Sequence, residues 1–254
     1  MATSKNGNLR KNKKLVIVGD GMCGKTCLLF AFKDDKFISN HDATIFDTYV
    51  ADIQMSHKKN SAITKTRKLV IVGDGTCGKT CLLYAFTHDT FDPKYAPTIF
   101  DTHATEIQVD RKRITLALFD TAGQEDFDRL RPLSYPDTNV VLICFSVDSP
   151  ASAINTIEKW MPEVRHFCDQ CPVILVACKK DLRTDAKTIE KLKKEGEAIV
   201  TNEVGRRIAA QIRADAYIEC SARTHEGVQD LFLQAARLSL KRYKRKKHVK
   251  CTLH

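Results

Sequence analysis

Residues 68–80 read KLVIVGDGTCGKT, and this stretch decides the fold. Leu69–Val72 is a short β-favouring apolar run, Gly73 to Gly78 is a turn rich in glycine, and Lys79 to Phe86 reads as a helix. The turn fits G-x-x-x-x-G-K-[ST], and a strand before it with a helix after it is the context that makes this pattern specific. Backbone N–H groups from Gly75, Thr76, Cys77 and Gly78 can turn inward around phosphate oxygens, with Cys81 at the start of the helix behind them. Lys79 reaches the β and γ phosphates, and the Thr80 hydroxyl suits Mg²⁺.

Working outward, strands and helices alternate. Strands are expected at His103–Val109 and Ile114–Phe119, flanking a charged hairpin Asp110–Arg113, and at Val140–Phe145, Val173–Cys178 and Ala216–Cys220. Helices are expected at Ala151–Phe167, Thr201–Ile212 and Val228–Arg242. With Leu69–Val72 this makes an α/β protein of the P-loop NTPase class, a mostly parallel six-stranded sheet with helices on both faces. Ligands of such sheets sit outside the carboxyl ends of the strands, where every chemical motif of this chain falls.

Two further groups of residues share that edge. Asp120-Thr121-Ala122-Gly123-Gln124 follows an apolar strand: Asp120 can hold Mg²⁺ through water, Gly123 can offer its N–H to a terminal phosphate, and Gln124 can orient an attacking water. Cys178-Lys179-Lys180-Asp181 and Glu219-Cys220-Ser221-Ala222-Arg223 each end a strand. A carboxylate such as Asp181 can accept two hydrogen bonds from guanine N1 and N2, which adenine cannot supply.

Together these runs resemble the Ras superfamily, and most closely its Rho family. The resemblance covers residues 67–254 through GDGTCGKTCLL, YAPTIFD, DTAGQEDFDRLRPLSYPDT, EKWMPEVRHFC and KKDLR, and the charged stretch 185–200 takes the place of the extra helix of Rho proteins. It implies that Phe91 stacks on the guanine, Tyr95 closes over the phosphates and Thr98 is a second Mg²⁺ ligand. It also implies that Lys179 lies along the base and that Ala222 gives its N–H to the guanine O6, with Ser221 supporting the loop. Exchange factors, GTPase-activating proteins, a dissociation inhibitor and effectors are the implied partners. The chain departs from the pattern at Cys178, where Rho proteins carry Asn and Rac relatives Thr, and at Arg223, usually Lys, whose planar cation can also stack. Asp101, Thr102 and His103 replace Glu-Asn-Tyr, and Phe119 replaces Trp.

Residues 13–58 repeat as residues 67–112 at a constant offset, with more than half of the positions identical. Two copies are too few for a solenoid and read as a partial tandem duplication. The first copy keeps Gly19 to Thr26, Phe37 and Thr44 but supplies no counterpart of Asp120, Gln124 or Asp181. It packs on the main domain, hangs loosely, or reflects a fault of the gene model. The expected organisation is this fragment over 1–66, a GTPase domain over 67–240 and a basic tail over 241–254.

Charge separates these parts. Residues 1–66 carry +5 and residues 241–254 carry +7 of the net +10, so the span between them carries −2. A near-neutral body with a basic tail argues for binding a surface through the tail and against a nucleic-acid-binding face. The tail runs into Cys251-Thr252-Leu253-His254, the prenylation pattern with an unusual last residue, and lipid plus basic patch is the two-signal arrangement that anchoring to an anionic membrane needs. A solvated tail with a chance Cys, or a nuclear-localising run, is the alternative. Position 2 is Ala, which excludes myristoylation, and no secretory signal or membrane-spanning run is read. Ten cysteines then fit a reducing compartment, and Cys168-x-x-Cys171 lacks a second pair for zinc.

The expectation is a Rho-like switch at the cytoplasmic face of membranes, binding GTP and GDP with Mg²⁺. A reading of a different class is a non-cycling scaffold or decoy; intact Gly75, Gln124 and Thr98 favour the enzyme.

Overall fold

The computed structural model describes residues 65–92, 98 and 100–241. Tyr95, the whole first copy of the repeat, and the tail from residue 242 with Cys251 lie outside the described residues.

Six strands form one sheet in the order β2-β3-β1-β4-β5-β6, with β1 at Lys65–Gly73, β2 at Phe100–Val109, β3 at Lys112–Thr121, β4 at Val140–Ser146, β5 at Val173–Cys178 and β6 at Ala216–Glu219. All neighbours run parallel except β2, which pairs antiparallel with β3. Central strands covered on both faces must be apolar at every position, and β4 is buried along its whole length. Its alternate residues feed two cores: Val140, Leu142 and Cys144 one, Val141, Ile143 and Phe145 the other. Helices α1 (Lys79–Thr87) and α6 (Val228–Leu240) cover the first. The second lies under α2 (Pro150–Asn155), α3 (Met161–Phe167) and α5 (Asn202–Gln211). Truncating a residue such as Leu142 to Ala costs about 2–5 kcal/mol.

The observed elements differ from the expected ones where a local rule decides. β1 begins at Lys65, two residues before the expected domain start and four before the expected strand, because its first residues pair with Ile114 and Thr115 of β3. β2 starts at Phe100, three residues early; its side chains alternate between exposed and half-buried on an edge, so no apolar periodicity marks it. The hairpin turn is only Asp110 and Arg111, both at positive φ (46° and 62°), the two-residue geometry that matches strand twist. The stretch 151–167 is not one regular helix: a π-turn, Thr156–Trp160, separates α2 from α3, and Met161 N–H donates back to Thr156 O. Pro162 follows that turn, with no N–H of its own to give. The extra helix occupies only Ala186–Lys194 (α4), started by Asp185, whose side chain accepts from Thr188 N–H, and followed by Gly196 at φ 74°. The Ala216 strand stops at Glu219, and α6 at Leu240.

Candidate functional site

The carboxyl ends of β1, β3, β5 and β6 surround one cavity of about 690 Å³. The chain turns out of β1 at Gly73 and enters α1 through Gly78, whose φ of 100° only glycine adopts easily. Lys79 is buried within that turn, and its Nζ donates to Gly73 O at 2.8 Å and Asp74 O at 2.7 Å. Gly75, Thr76, Gly78, Thr80 and Cys81 line the cavity beside it, whereas Cys77 is packed behind the wall.

Thr80, Thr98 and Asp120 converge at this end. Thr80 Oγ1 lies 2.7 Å from Thr98 Oγ1 and donates to Asp120 Oδ2 at 2.6 Å. Asp120 is almost fully buried, and its other oxygen, Oδ1, has no hydrogen-bond partner. Burial raises its carboxyl above the ordinary value, against the Thr80 bond and the nearby Lys79 charge, which lower it. A divalent cation supplies what such an oxygen lacks, and two hydroxyls beside a carboxylate are oxygen donors of the kind Mg²⁺ takes. The residues present therefore fit that ion.

Gly123 reaches the cavity from β3 by a close approach. A Cβ there would lie 2.2 Å from Gly73 O and 2.5 Å from Gly75 N, so the segment Asp120–Gln124, which the resemblance reads as the opening of the second switch segment, rests directly on the phosphate loop. Gln124 lines the cavity next to it, its Cγ 3.7 Å from where a Gly75 Cβ would be.

At the other end, Phe91, Cys178, Lys179, Asp181, Ala222 and Arg223 line the wall. Ser221, fully buried behind them, donates its hydroxyl to Asp181 Oδ1 at 2.7 Å, leaving Oδ2 with the exposed Arg223 guanidinium 3.9 Å away. Lys179 adopts φ 58°, its stem passes within 3.9 Å of a Cβ built on Gly78, and its Nζ lies 3.4 Å from Asp148. The Cys178 Cβ is 3.6 Å from that same built Cβ, so residue 178 stands beside the open side of Gly78 in the phosphate loop. Burial, reinforced by the neighbouring Cys178 sulfur, pushes the Cys144 thiol well up, and the Cys178 sulfur together with burial does the same to Cys220, whereas those two thiols draw Cys178 down.

Several residues that shape the site carry no motif. Trp160 and Asn155 hold the Asp74 carboxylate from behind the phosphate loop. Arg183 donates to both oxygens of Glu219, at 2.5 and 2.6 Å, joining the two base loops beneath Asp181 and Ser221. Leu82, Thr121, Ala122, Leu182 and Cys220 complete the lining.

A glycine-rich loop opening a helix, a lysine inside it and oxygen donors beside it define a P-loop nucleotide-binding protein of the α/β class. Residues 14–64 and 68–241 match the Ras family. GTP-binding protein RHO1 of Candida albicans is 54% identical over 188 residues, 74% of this chain and 95% of that protein. GTP-binding protein rho1 of Schizosaccharomyces pombe is 56% identical over 180 residues, 71% of this chain and 89% of that protein. GTP-binding protein RHO1 of Saccharomyces cerevisiae is 58% identical over 174 residues, 68% and 83% of the two chains. The chain belongs to the Rho family of small GTPases, within the Ras superfamily.

Proposed function

We propose that the chain is a GTP switch that binds GTP and GDP with Mg²⁺ in this cavity, hydrolyses GTP slowly and offers its two switch segments to effectors in the GTP state. The observation that carries this reading is the meeting of Thr80, Thr98 and Asp120, one of whose carboxylate oxygens is buried without a partner, at the cavity that Lys79, Thr80, Thr98 and Gln124 line. When bound, Mg²⁺ neutralises charge on the β and γ phosphate oxygens. Thr80, Thr98 and Asp120 would hold it.

The chain's own residues do the rest. The loop N–H groups and Lys79 bind phosphate oxygens, Gly123 adds an N–H to the terminal phosphate, and Gln124 orients the attacking water. Asp181, fixed by Ser221, accepts from guanine N1 and N2; Ala222 donates to O6; Phe91, Lys179 and Arg223 flank the base, and Tyr95 closes over the phosphates. The work is positioning and charge stabilisation, and an arginine from an activating protein adds about 10³ to 10⁵ in rate. Exchange factors and a dissociation inhibitor act on the same switch.

The basic tail, with a lipid on Cys251, recruits the protein to the cytoplasmic face of an anionic membrane, the plasma membrane. Each Lys or Arg there contributes about 1 kcal/mol. By family resemblance its signalling is cytoskeletal. The first copy of the repeat takes no nucleotide, since it lacks the base-binding carboxylate.

The test is nucleotide content and single-turnover hydrolysis on the full chain. One guanine nucleotide per chain, lost in Lys79→Ala and kept in Lys25→Ala, supports the assignment. Gln124→Leu should bind GTP but lose stimulated hydrolysis. Two nucleotides per chain, or retention by Lys79→Ala, would overturn it.

A further inference from the structure

Asp74 lies inside the phosphate-binding turn, yet both of its carboxylate oxygens are taken from the far side. Trp160 Nε1 donates to Oδ1 at 2.6 Å and Asn155 Nδ2 donates to Oδ2 at 2.7 Å. The main-chain carbonyl of the same residue accepts from Lys79 Nζ at 2.7 Å. One residue thus joins two neutral donors behind the loop to the ammonium group inside it.

The helix is built to bring those donors together. Residues five apart on a regular α-helix point about 140° away from each other, so Asn155 and Trp160 would not share a target. The π-turn Thr156–Trp160 widens the helix between them, and both reach Asp74.

The indole serves a second segment through its face. The Arg131 guanidinium lies 4.6 Å from the ring centroid, is held at two points by Glu163 (2.6 and 2.7 Å) and donates to Ala122 O at 3.0 Å. Ala122 precedes Gly123, which rests on Gly73 and Gly75. The phosphate loop and the second switch segment are therefore fastened to one side chain.

We propose that Trp160 and Asn155 are positioning residues for GTP binding and hydrolysis. Acting through Asp74, they set the placement of Lys79, and Arg131 on the indole face holds the second switch segment in register with the loop. This rests on Lys79 as the phosphate-binding lysine.

The test uses the full chain and follows release of a fluorescent GDP and single-turnover hydrolysis of Mg²⁺·GTP. Trp160→Phe keeps an aromatic face for Arg131 and removes the donor. Asp74→Asn turns an amide towards the Asn155 amide, and Asp74→Asn with Asn155→Asp restores that bond with donor and acceptor exchanged and net charge unchanged. Trp160→Phe and Asp74→Asn should each release GDP about tenfold faster, the effect of losing a hydrogen bond to a charged group. The exchanged pair should return within about threefold of wild type, a rescue that general loosening of the fold would not show. Single variants within about twofold of wild type, or an exchanged pair as fast as Asp74→Asn, would overturn the proposal. Lys79→Ala separates the two readings. If it keeps nucleotide, the site assignment fails and the strap with it; if it loses nucleotide while the strap variants behave as wild type, only the strap fails.

Discussion

Replacing Gly123 with alanine places a methyl carbon 2.2 Å from Gly73 O, 2.4 Å from Asp74 C and 2.5 Å from Gly75 N. All three are backbone atoms, so no side chain can swing aside. Non-bonded heavy atoms settle at roughly 3.5 Å, so the two segments must part by about 1 Å. The phosphate loop resists, because it continues the central strand β1 and is held at Asp74 by Trp160 and Asn155. Asp120 and Thr121 are held in β3, so the Gly123–Gln124 segment beyond the strand moves instead, carrying Gln124 away from the place of the terminal phosphate. A misplacement of about 1 Å costs about 10² in rate. Single-turnover GTP hydrolysis, followed by phosphate release in stopped flow, should fall about 100-fold in Gly123→Ala, a barrier increase of about 2.7 kcal/mol. GDP release should change less than about threefold, since Lys79 and Asp181 keep their partners. Hydrolysis within threefold of wild type would refute the reasoning, and a matching loss of GDP affinity would show that the phosphate loop is the side that yields.

Three further outcomes are expected. Cys178→Asn should slow GDP release several-fold in a displacement assay, because an amide at this position, beside Gly78, adds a donor between the 178–181 loop and the phosphate loop; an unchanged rate would remove position 178 from nucleotide retention. Burial alone would raise the Glu219 carboxyl, but bonds from Arg183 and Tyr217 outweigh it and hold it at about 2 against an ordinary 4.5. Its folded value being the lower, the stabilisation is complete above about pH 5 and fades as pH falls towards 2. Acid titration of stability should show a loss of at most about 3 kcal/mol in that window, flattened in Glu219→Gln. Cys251→Ser should move the protein from the membrane to the soluble fraction of a cell lysate, and identical fractionation would count against a lipid on that residue.

Local runs made much of this site readable. Lys79, Thr80 and the glycines act within eight consecutive residues, and Asp120, Asp181 and Ala222 each follow an apolar strand, so a strand-end rule places them at one edge. Asp74 was visible only as a spacer in the motif, because its partners Asn155 and Trp160 lie 81 and 86 positions away and no periodicity links them. Arg183 and Glu219 stayed hidden for the same reason, each reading alone as loop or strand-end charge. The first three residues of β2, Phe100, Asp101 and Thr102, read as loop because they show no apolar alternation; pairing with Thr121, Asp120 and Phe119 of β3 makes them a strand. Pro162 marks a place where 151–167 cannot continue as a regular helix, but the apolar spacing there is ordinary and does not show that the break takes the form of a π-turn.

Trp160 is the only tryptophan in the chain. Its indole edge is bonded to the phosphate loop and its face is covered by Arg131, which holds Ala122 beside the second switch segment. All of the protein's tryptophan emission therefore originates at the junction of the two parts that nucleotide exchange would disturb. The unlabelled molecule carries its own optical gauge, and a change in brightness or wavelength when GDP gives way to GTP can be assigned to one side chain.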